Sequence, residues 1–392
     1  MSEELDVAVV GMGPYGLAVA AALGTRNVAV FGTPLRTWRE LMPSQMQLRA
    51  AWDDMSLTPR GSRGDLDDWL RSSGRPRVEP MRVDDFIAYC DWFRDRFVPR
   101  EVHADVVGID DAPDGLEVAT ADGRRFVTSQ VVLAVGATPF ARVPEPFGGL
   151  VGSGVELAAT FDGYERLEGK RVVVVGAGQT AVEAAARALD GGAQVELLAR
   201  SQLVWFADRE PHVPRSPLRQ RLYEFAYPAV GYGPPLLNRL VLYPDLFARL
   251  PAPLRRRLTA RLLQPGGSPW LRERVEGRAQ VSERVRTVTA ERVDGQLVLA
   301  LDDGSTRVVD LVLAAAGYRF ELDRLAYLSG RIRERIAIDD SWPRLDSEFR
   351  TTHPRIAFVG YAAEGRFGAS ARFVLGARFA APRVAAGIVH RV

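Results

Sequence analysis

Two glycine fingerprints carry the chemistry legible in this chain. Gly11-Met12-Gly13-Pro14-Tyr15-Gly16 follows the apolar run Val7-Val10, and Gly176-Ala177-Gly178-Gln179-Thr180-Ala181 follows Arg171-Val175. In such a motif the first glycine permits a tight turn and the second lets the backbone approach a pyrophosphate. The third lets helix and strand pack closely. The helix that opens there offers free N–H groups and partial positive charge to phosphate. Two motifs of this kind, each between a strand pattern and an alanine-rich helix pattern, predict two dinucleotides on one chain. A flavin and a nicotinamide are the natural pair, and redox chemistry is the consequence.

The first motif reads as an FAD site built on Gly11, Gly13 and Gly16. Asp6-Val10 is its strand, Gly16-Leu23 its helix and Asn27-Phe31 the second strand. An acid for the adenosine ribose is expected at the end of that strand, but Gly32 stands there. Arg36 and Arg39 are nearby substitutes, and Trp38 is a candidate to pack on the adenine. Two further apolar strands, Gln130-Val135 ending in Gly136 and Arg355-Val359 ending in Gly360, fit the same cofactor. Each alone reads as ordinary sheet core; their order makes them a set. Gly368-Ala369-Ser370 is predicted to open a helix running to Ala381, whose N-terminus would favour negative charge on a reduced flavin.

The second motif reads as a nicotinamide site built on Gly176, Gly178 and Ala181, with Ala181 in place of the third glycine. Val182-Leu189 is its helix and Gln194-Leu198 its second strand, which runs into Ala199-Arg200-Ser201. An arginine rather than an acid at the ribose position suits the 2′-phosphate of NADPH, because a guanidinium pairs bidentately with phosphate. Arg200 and Ser201 are therefore expected there; a solvated arginine at a strand end is the alternative. Arg278-Val285, Thr287-Arg292, Leu297-Leu301 and Ser305-Val312 read as strands returning to the sheet.

These elements predict an α/β fold of two Rossmann-like dinucleotide-binding domains, the second inserted into the first, with a helical insertion. The expected boundaries are 1–155 for the first part of the FAD domain and 156–312 for the NADPH domain including an insertion at 205–271. Residues 313–392 would close the FAD domain. The 392 residues are enough for two or three such cores. The insertion is proline-punctuated, aromatic and basic, with Tyr223, Phe225, Tyr227, Tyr232, Tyr243, Phe247 and Leu254-Arg255-Arg256-Arg257-Leu258. It suits a substrate cover, a contact in a homo-oligomer, a membrane-surface patch or a packing subdomain.

Composition narrows the function classes. A net charge of +2 gives no strong attraction to nucleic acid. Cys90 is the only cysteine, which leaves no Cys-x-x-Cys pair. Lys170, the only lysine, falls on a predicted surface turn, away from any Schiff-base role. The histidines at 103, 212, 353 and 390 lack metal-ligand spacing, so no metal is expected. An acidic start running straight into a strand, and no apolar run near the ~20 residues of a span, predict a cytoplasmic protein without a transmembrane segment.

The order of motifs resembles the two-dinucleotide-binding flavoproteins, and within them the class B type flavin monooxygenases, including the N-hydroxylating and urate-hydroxylase-like enzymes. The carriers are the first glycine motif, Leu133-Ala134-Val135-Gly136, the second motif, and Asp310 through Ala316-Gly317-Tyr318. That last stretch is similar to the Asp…Ala-Thr-Gly-Tyr signature, with Ala316 for the threonine. Met46-Gln47-Leu48-Arg49 with Asp53 is similar to a segment that lies over the flavin in those enzymes. The Phe31-Gly32…Trp38…Met42-Pro43 block resembles bacterial hydroxylases of urate-type substrates. The resemblance spans nearly the whole chain except the insertion.

It implies FAD and NADPH as cofactors, O₂ and a small molecule as substrates, and a flavin C4a-(hydro)peroxide that hydroxylates a nitrogen-containing or aromatic compound. Gln47 and Arg49 take the catalytic positions beside the flavin, and Gln179 lies toward the nicotinamide. Two departures stand out. Ala158 occupies the position of the usual linker histidine, which keeps open an NADPH-dependent flavin oxidase or reductase without oxygen insertion. Trp52 stands where the N-hydroxylases place a lysine for an amino-acid carboxylate, which disfavours ornithine or lysine as substrate.

Overall fold

The computed structural model describes residues 3–24, 26–44, 46–206, 216, 218–219 and 237–389. The chain packs as two units. The first comprises Met1–Pro139, Arg215–Leu263 and Phe320–Val392; the second comprises Phe140–Pro214 and Gln264–Arg319. The second unit is thus inserted in sequence into the first.

The first unit is built on a seven-stranded sheet. Its strands are β1 (Glu3–Val10), β2 (Val28–Phe31), β3 (Glu101–Val102), β4 (Val106–Ala112), β5 (Gly115–Thr120) and β6 (Arg125–Leu133), with Ile356–Phe358 as the seventh. The order β3-β2-β1-β6 is parallel, as a chain crossing over through helices requires. The first half of β6 pairs antiparallel with β5, and its second half pairs parallel with Ile356–Phe358. Val7–Val10 are buried because a central parallel strand is covered on both faces. Helix α1 (Pro14–Leu23) is apolar all round for a similar reason: it also packs on the terminal helix Gly376–Val389. Helices α2 (Leu66–Ser73) and α3 (Val83–Phe97) add a layer.

The second unit carries a five-stranded parallel sheet made of β7 (Val155–Leu157), β8 (Arg171–Val175), β9 (Gln194–Ala199), β10 (Gln280–Glu283) and a late strand, Leu311–Ala314. The order is β10-β9-β8, then Leu311–Ala314, then β7. Helix α4 (Gln179–Asp190) covers it with an alanine face. A three-stranded antiparallel sheet, β11 (Thr287–Val293), β12 (Gln296–Leu301) and β13 (Thr306–Val309), lies beside it.

Three expectations change. Ser305-Val312 is not one strand: it breaks at Asp310 into Thr306–Val309 and Leu311–Ala314, which belong to different sheets. Asp310 makes the break because its carboxylate accepts the Arg171 N–H (2.8 Å) and the Gln296 side-chain amide (3.1 Å). These bonds hold its pKa below the usual carboxylate value. Gly368 opens only a short 3₁₀ turn, Gly368–Arg372, and the terminal helix starts at Gly376. The helix-dipole role expected at Gly368 therefore has no helix behind it. Finally, Arg215–Leu263 groups with the first unit rather than the second, and 313–319 with the second. Val241 and Leu262 are buried with Ala369 and Leu375 in a small core that also takes in Ala50 and Phe373. Tyr223, Phe225, Tyr227 and Tyr232 lie outside the described residues. No helix among the described residues is long and apolar enough to cross a membrane.

Candidate functional site

The first glycine loop sits at the carboxyl ends of β1 and β6. Gly11 has φ +108, and a Cβ there would overlap the Ala134 carbonyl oxygen. At Gly16 a Cβ would overlap the Gly11 carbonyl oxygen. Gly13 is different: a Cβ on it would meet nothing within 4 Å. Packing thus explains Gly11 and Gly16 but not Gly13, whose bare side is the space a pyrophosphate would fill. Gly13 also caps α1, and no side chain bonds its first-turn N–H groups. Those free donors fit an anion.

Gly136 (φ +70) follows the Ala134-Val135 backbone that Gly11 approaches. Gly360 (φ +69) adjoins the end of β6, since Val359 N–H bonds the Leu133 carbonyl (3.0 Å), and a Cβ on it would lie 3.4 Å from the Tyr15 ring. Gly11, Gly13, Gly16, Gly136 and Gly360 therefore meet at the carboxyl edge of one parallel sheet, where ligands of such folds bind.

Gly368 stands apart in its reason. A Cβ there would come 2.6 Å from the Phe247 ring, so close packing, not an open cradle, requires glycine. Gly32 has φ +126, which any acid in its place would find strained. The substitutes for that acid are engaged elsewhere. Arg36 bonds Thr33 (2.9 Å) and Asp105 (3.1 Å), and Arg39 pairs with Asp91. The Trp38 ring packs on Phe86 with centroids 4.5 Å apart and is half-buried.

Gln47 and Arg49 flank Leu48, whose N–H bonds the Met81 carbonyl (2.8 Å); Gln47 itself bridges to Arg82. This pairing fixes the segment against the start of α3. The next residue, Ala50, packs with Ala369 and Phe373, so Gln47 and Arg49 lead to the Gly368–Arg372 turn. Arg378 of the terminal helix holds the segment from the other side through the Asp53 carbonyl (2.9 Å).

Two residues here, Tyr15 and Asn238, were missed by sequence reasoning, and Trp52 was read only for the lysine it replaces. Tyr15, inside the first glycine motif, sends its hydroxyl to the carbonyls of Ser370 (3.2 Å), Ala371 (3.1 Å) and Phe373 (2.9 Å). Burial pushes its pKa far up, so it stays a proton donor. Asn238 is 1% exposed, and its Oδ1 has no hydrogen-bond partner among the described residues. It lies in the turn Leu237–Leu242, which packs on Gly368–Arg372. Trp52 is 3% exposed and its Nε1 donor is likewise unmatched. Buried polar atoms are almost always paired, so the unmatched Asn238 oxygen beside the Gly368–Arg372 turn is a candidate ligand contact. An asparagine within the apolar run Leu236-Leu237-Asn238-Arg239-Leu240 was the available signal.

In the second unit Gly176 has φ +154, and its Cβ would overlap the Ala315 carbonyl oxygen. Ala181 is fully buried against it, so a methyl fits where the motif usually has glycine. Gly178 caps α4 without a side-chain bond, and the nearest atom to its Cβ position is 3.7 Å away. As at Gly13, backbone packing does not demand the middle glycine. Arg200 and Ser201 are exposed at the end of β9, and Arg200 has no ion pair among the described residues. Gln179 turns to Ser268 instead, accepting its N–H (2.9 Å) and hydroxyl (2.8 Å). Ala158 is 8% exposed in the core beneath α4, its N–H bonded to the Ala314 carbonyl (3.0 Å).

A family model of pyridine nucleotide-disulphide oxidoreductases matches residues 5–211, which include both glycine loops. The chain belongs to this family. Membership in the pyridine nucleotide-disulphide oxidoreductases makes it an oxidoreductase, and the two-Rossmann architecture is the one expected. The fold is also that of ornithine hydroxylase from Pseudomonas aeruginosa (TM-score 0.77, 19% identity, 99% of each chain). L-lysine 6-monooxygenase from Pseudomonas syringae is similar (0.73, 20%, 99% of this chain and 100% of that one). So is a bacillithiol disulfide reductase from Bacillus cereus (0.64, 17%, 100% of both). At these identities the likeness establishes a shared fold. No curated protein matches the sequence. Within this family, disulfide chemistry on the chain's own thiols has no basis: Cys90 is fully buried in α3, and burial pushes its thiol pKa well up.

Proposed function

We propose that this chain is an FAD- and NADPH-dependent monooxygenase that hydroxylates a small nitrogen-containing or aromatic substrate. The observation that carries the reading is the pair of glycine cradles. Gly13 and Gly178 each cap a helix without a side-chain bond, neither is required by backbone packing, and each sits in its own Rossmann unit. The end-to-end fold shared with an ornithine hydroxylase and a lysine monooxygenase supports the oxygenating branch.

In this reading the N-terminus of α1 and Gly11, Gly13, Gly16, Gly136 and Gly360 hold the FAD, with Trp38 toward its adenosine. The N-terminus of α4, Gly176, Gly178, Ala181, Arg200 and Ser201 hold NADPH. When bound, the flavin supplies both hydride acceptance and oxygen activation. The protein positions and dries that chemistry. Gln47 and Arg49 border the flavin, and Asn238 and Trp52 offer one buried acceptor and one buried donor to the substrate.

Anaerobic mixing with NADPH should bleach the flavin. In air, nitrogen heterocycles, amines and aromatics should be screened for faster NADPH consumption, with hydrogen peroxide measured in parallel. Stimulation with peroxide well below the NADPH consumed, and a hydroxylated product, is the expected result. A flavin that NADPH does not reduce would overturn the proposal. The oxidase or reductase reading rests on Ala158, buried where an imidazole would stand; peroxide equal to NADPH under every substrate would favour it.

A further inference from the structure

We propose that Arg284 is a second arginine of the 2′-phosphate site, acting beside Arg200, and that the pair sets a preference for NADPH over NADH. The proposal rests on the nicotinamide reading above. Strands β9 and β10 are parallel neighbours, and Glu283 lies opposite Ala199. Arg200 and Arg284 are therefore each one residue past the paired ends of adjacent strands, which run about 4.8 Å apart. The Val285 N–H reaches back to the Ala199 carbonyl (3.2 Å) and pins the chain against β9 just after Arg284.

Both arginines are exposed, and neither has a carboxylate partner among the described residues. The acids of the same strands are used elsewhere. Glu283 accepts the Leu203 N–H (2.9 Å), while Glu196 takes Arg307 (2.7 Å) and the Ser282 hydroxyl (2.6 Å). Two neighbouring cations repel, and a bound dianion would relieve that repulsion. A phosphate monoester has oxygens enough for two guanidinium groups; a bare ribose hydroxyl offers neither the charge nor the acceptors.

The backbone adds an independent observation. Arg284 has φ +59, a left-handed conformation uncommon for a residue with a Cβ. Among the described residues Asp294, Asp340 and Ser341 share it in two-residue hairpin turns that require it, and Leu35 and Phe349 share it while buried in the core. Arg284 is in no hairpin: it joins β10 to β11. Glycine or asparagine would meet the backbone demand more easily. Arg284 is the described residue of this set that is both exposed and outside a hairpin. Neither core packing nor a tight turn accounts for its strain, which is the pattern of a residue held for its side chain.

The test is calorimetric titration of the full-length holoprotein with 2′,5′-ADP and with ADP, for wild type, Arg284→Gln, Arg284→Gly and Arg284→Lys. Wild type should bind 2′,5′-ADP more tightly than ADP. Arg284→Gln and Arg284→Gly should each weaken 2′,5′-ADP about tenfold or more, as loss of a charged hydrogen bond does, and leave ADP unchanged. Arg284→Lys should recover part of the loss. If wild type prefers 2′,5′-ADP and both neutral variants keep that preference, Arg200 reads the phosphate alone and this proposal fails while the NADPH reading stands. If wild type binds both probes equally, the phosphate reading fails and takes this one with it. Equal weakening of both probes in both variants would mark Arg284 as structural and also overturn it.

Discussion

The Tyr15 hydroxyl lies 2.9 Å from the carbonyl oxygen of Phe373. This contact joins the first glycine loop to the turn that leads into the terminal helix. Gly376 makes it possible, since a Cβ there would overlap the Tyr15 oxygen. Tyr15→Phe removes the side-chain donor that these carbonyls share while keeping the ring on Gly360. The expected cost is about 1–2 kcal/mol of stability. FAD should also dissociate more readily, about threefold to thirtyfold by the same energy. Thermal melting of the apoprotein and titration with FAD measure the two effects separately. A variant that melts lower yet binds FAD as wild type does would confine Tyr15 to the fold.

The glycines of the first loop should separate by function. A Cβ at Gly16 would overlap backbone, so Gly16→Ala should destabilise the apoprotein by about 3 kcal/mol or more. A Cβ at Gly13 meets nothing within 4 Å, so Gly13→Ala should melt within about 0.5 kcal/mol of wild type. Gly13→Ala should nevertheless purify without flavin, because its methyl takes pyrophosphate space. A yellow, FAD-saturated Gly13→Ala protein would remove the argument for this cradle.

The same contrast shows what the sequence could disclose. Strands β1, β2, β8 and β9 and helices α1 and α4 were legible because a glycine motif, an apolar run and an alanine run are local signals that agree. Asp310 was read as part of a strand because its run is apolar on both sides; its role as a peg between β13 and Leu311–Ala314 depends on Arg171 and Gln296, which lie outside that run. Gly368 looked like a helix start for want of any sign of Phe247, whose ring occupies its open side. Arg36 and Arg39 were plausible ribose contacts until Asp105, in the link before β4, and Asp91 of α3 came to pair with them. The burial of Asn238 likewise depends on Ala369 and its neighbours, more than a hundred residues away.

His353 should couple stability to pH. It is fully buried; its Nδ1 accepts the Arg355 N–H (3.3 Å) and its Nε2 faces Asp111 (3.3 Å). The neutral Nε2–H tautomer satisfies both contacts. Burial, reinforced by the Arg335 charge, lowers the pKa below its ordinary 6.5 despite Asp111. Because the unfolded chain binds this proton more readily, the contribution is fully present above about pH 6.5 and falls as pH drops toward the folded value. The slope from this group is at most about 1.4 kcal/mol per pH unit. Chemical denaturation between pH 7.5 and pH 5 should show that fall in wild type and a shallower one in His353→Gln. Parallel curves would assign the acid sensitivity to other groups.

Asn238 should show opposite effects on stability and on catalysis. A buried amide oxygen without a partner costs the free protein its desolvation energy. Replacing it with a side chain of similar size and no polar atoms removes that cost, so Asn238→Leu should gain about 1 kcal/mol, or a few degrees in Tm. If the oxygen is kept for a substrate N–H, the same variant should raise KM and send more of the NADPH consumed into hydrogen peroxide. The anaerobic rate of flavin reduction should be unchanged, because no nicotinamide contact is lost. Asn238→Asp separates this from a packing effect, since it keeps the shape and places a charge where 1% of the residue is exposed; it should destabilise by several kcal/mol. A lower Tm for Asn238→Leu would mean that the amide is satisfied in the folded enzyme, and a fall in coupling could then no longer be traced to a missing substrate hydrogen bond.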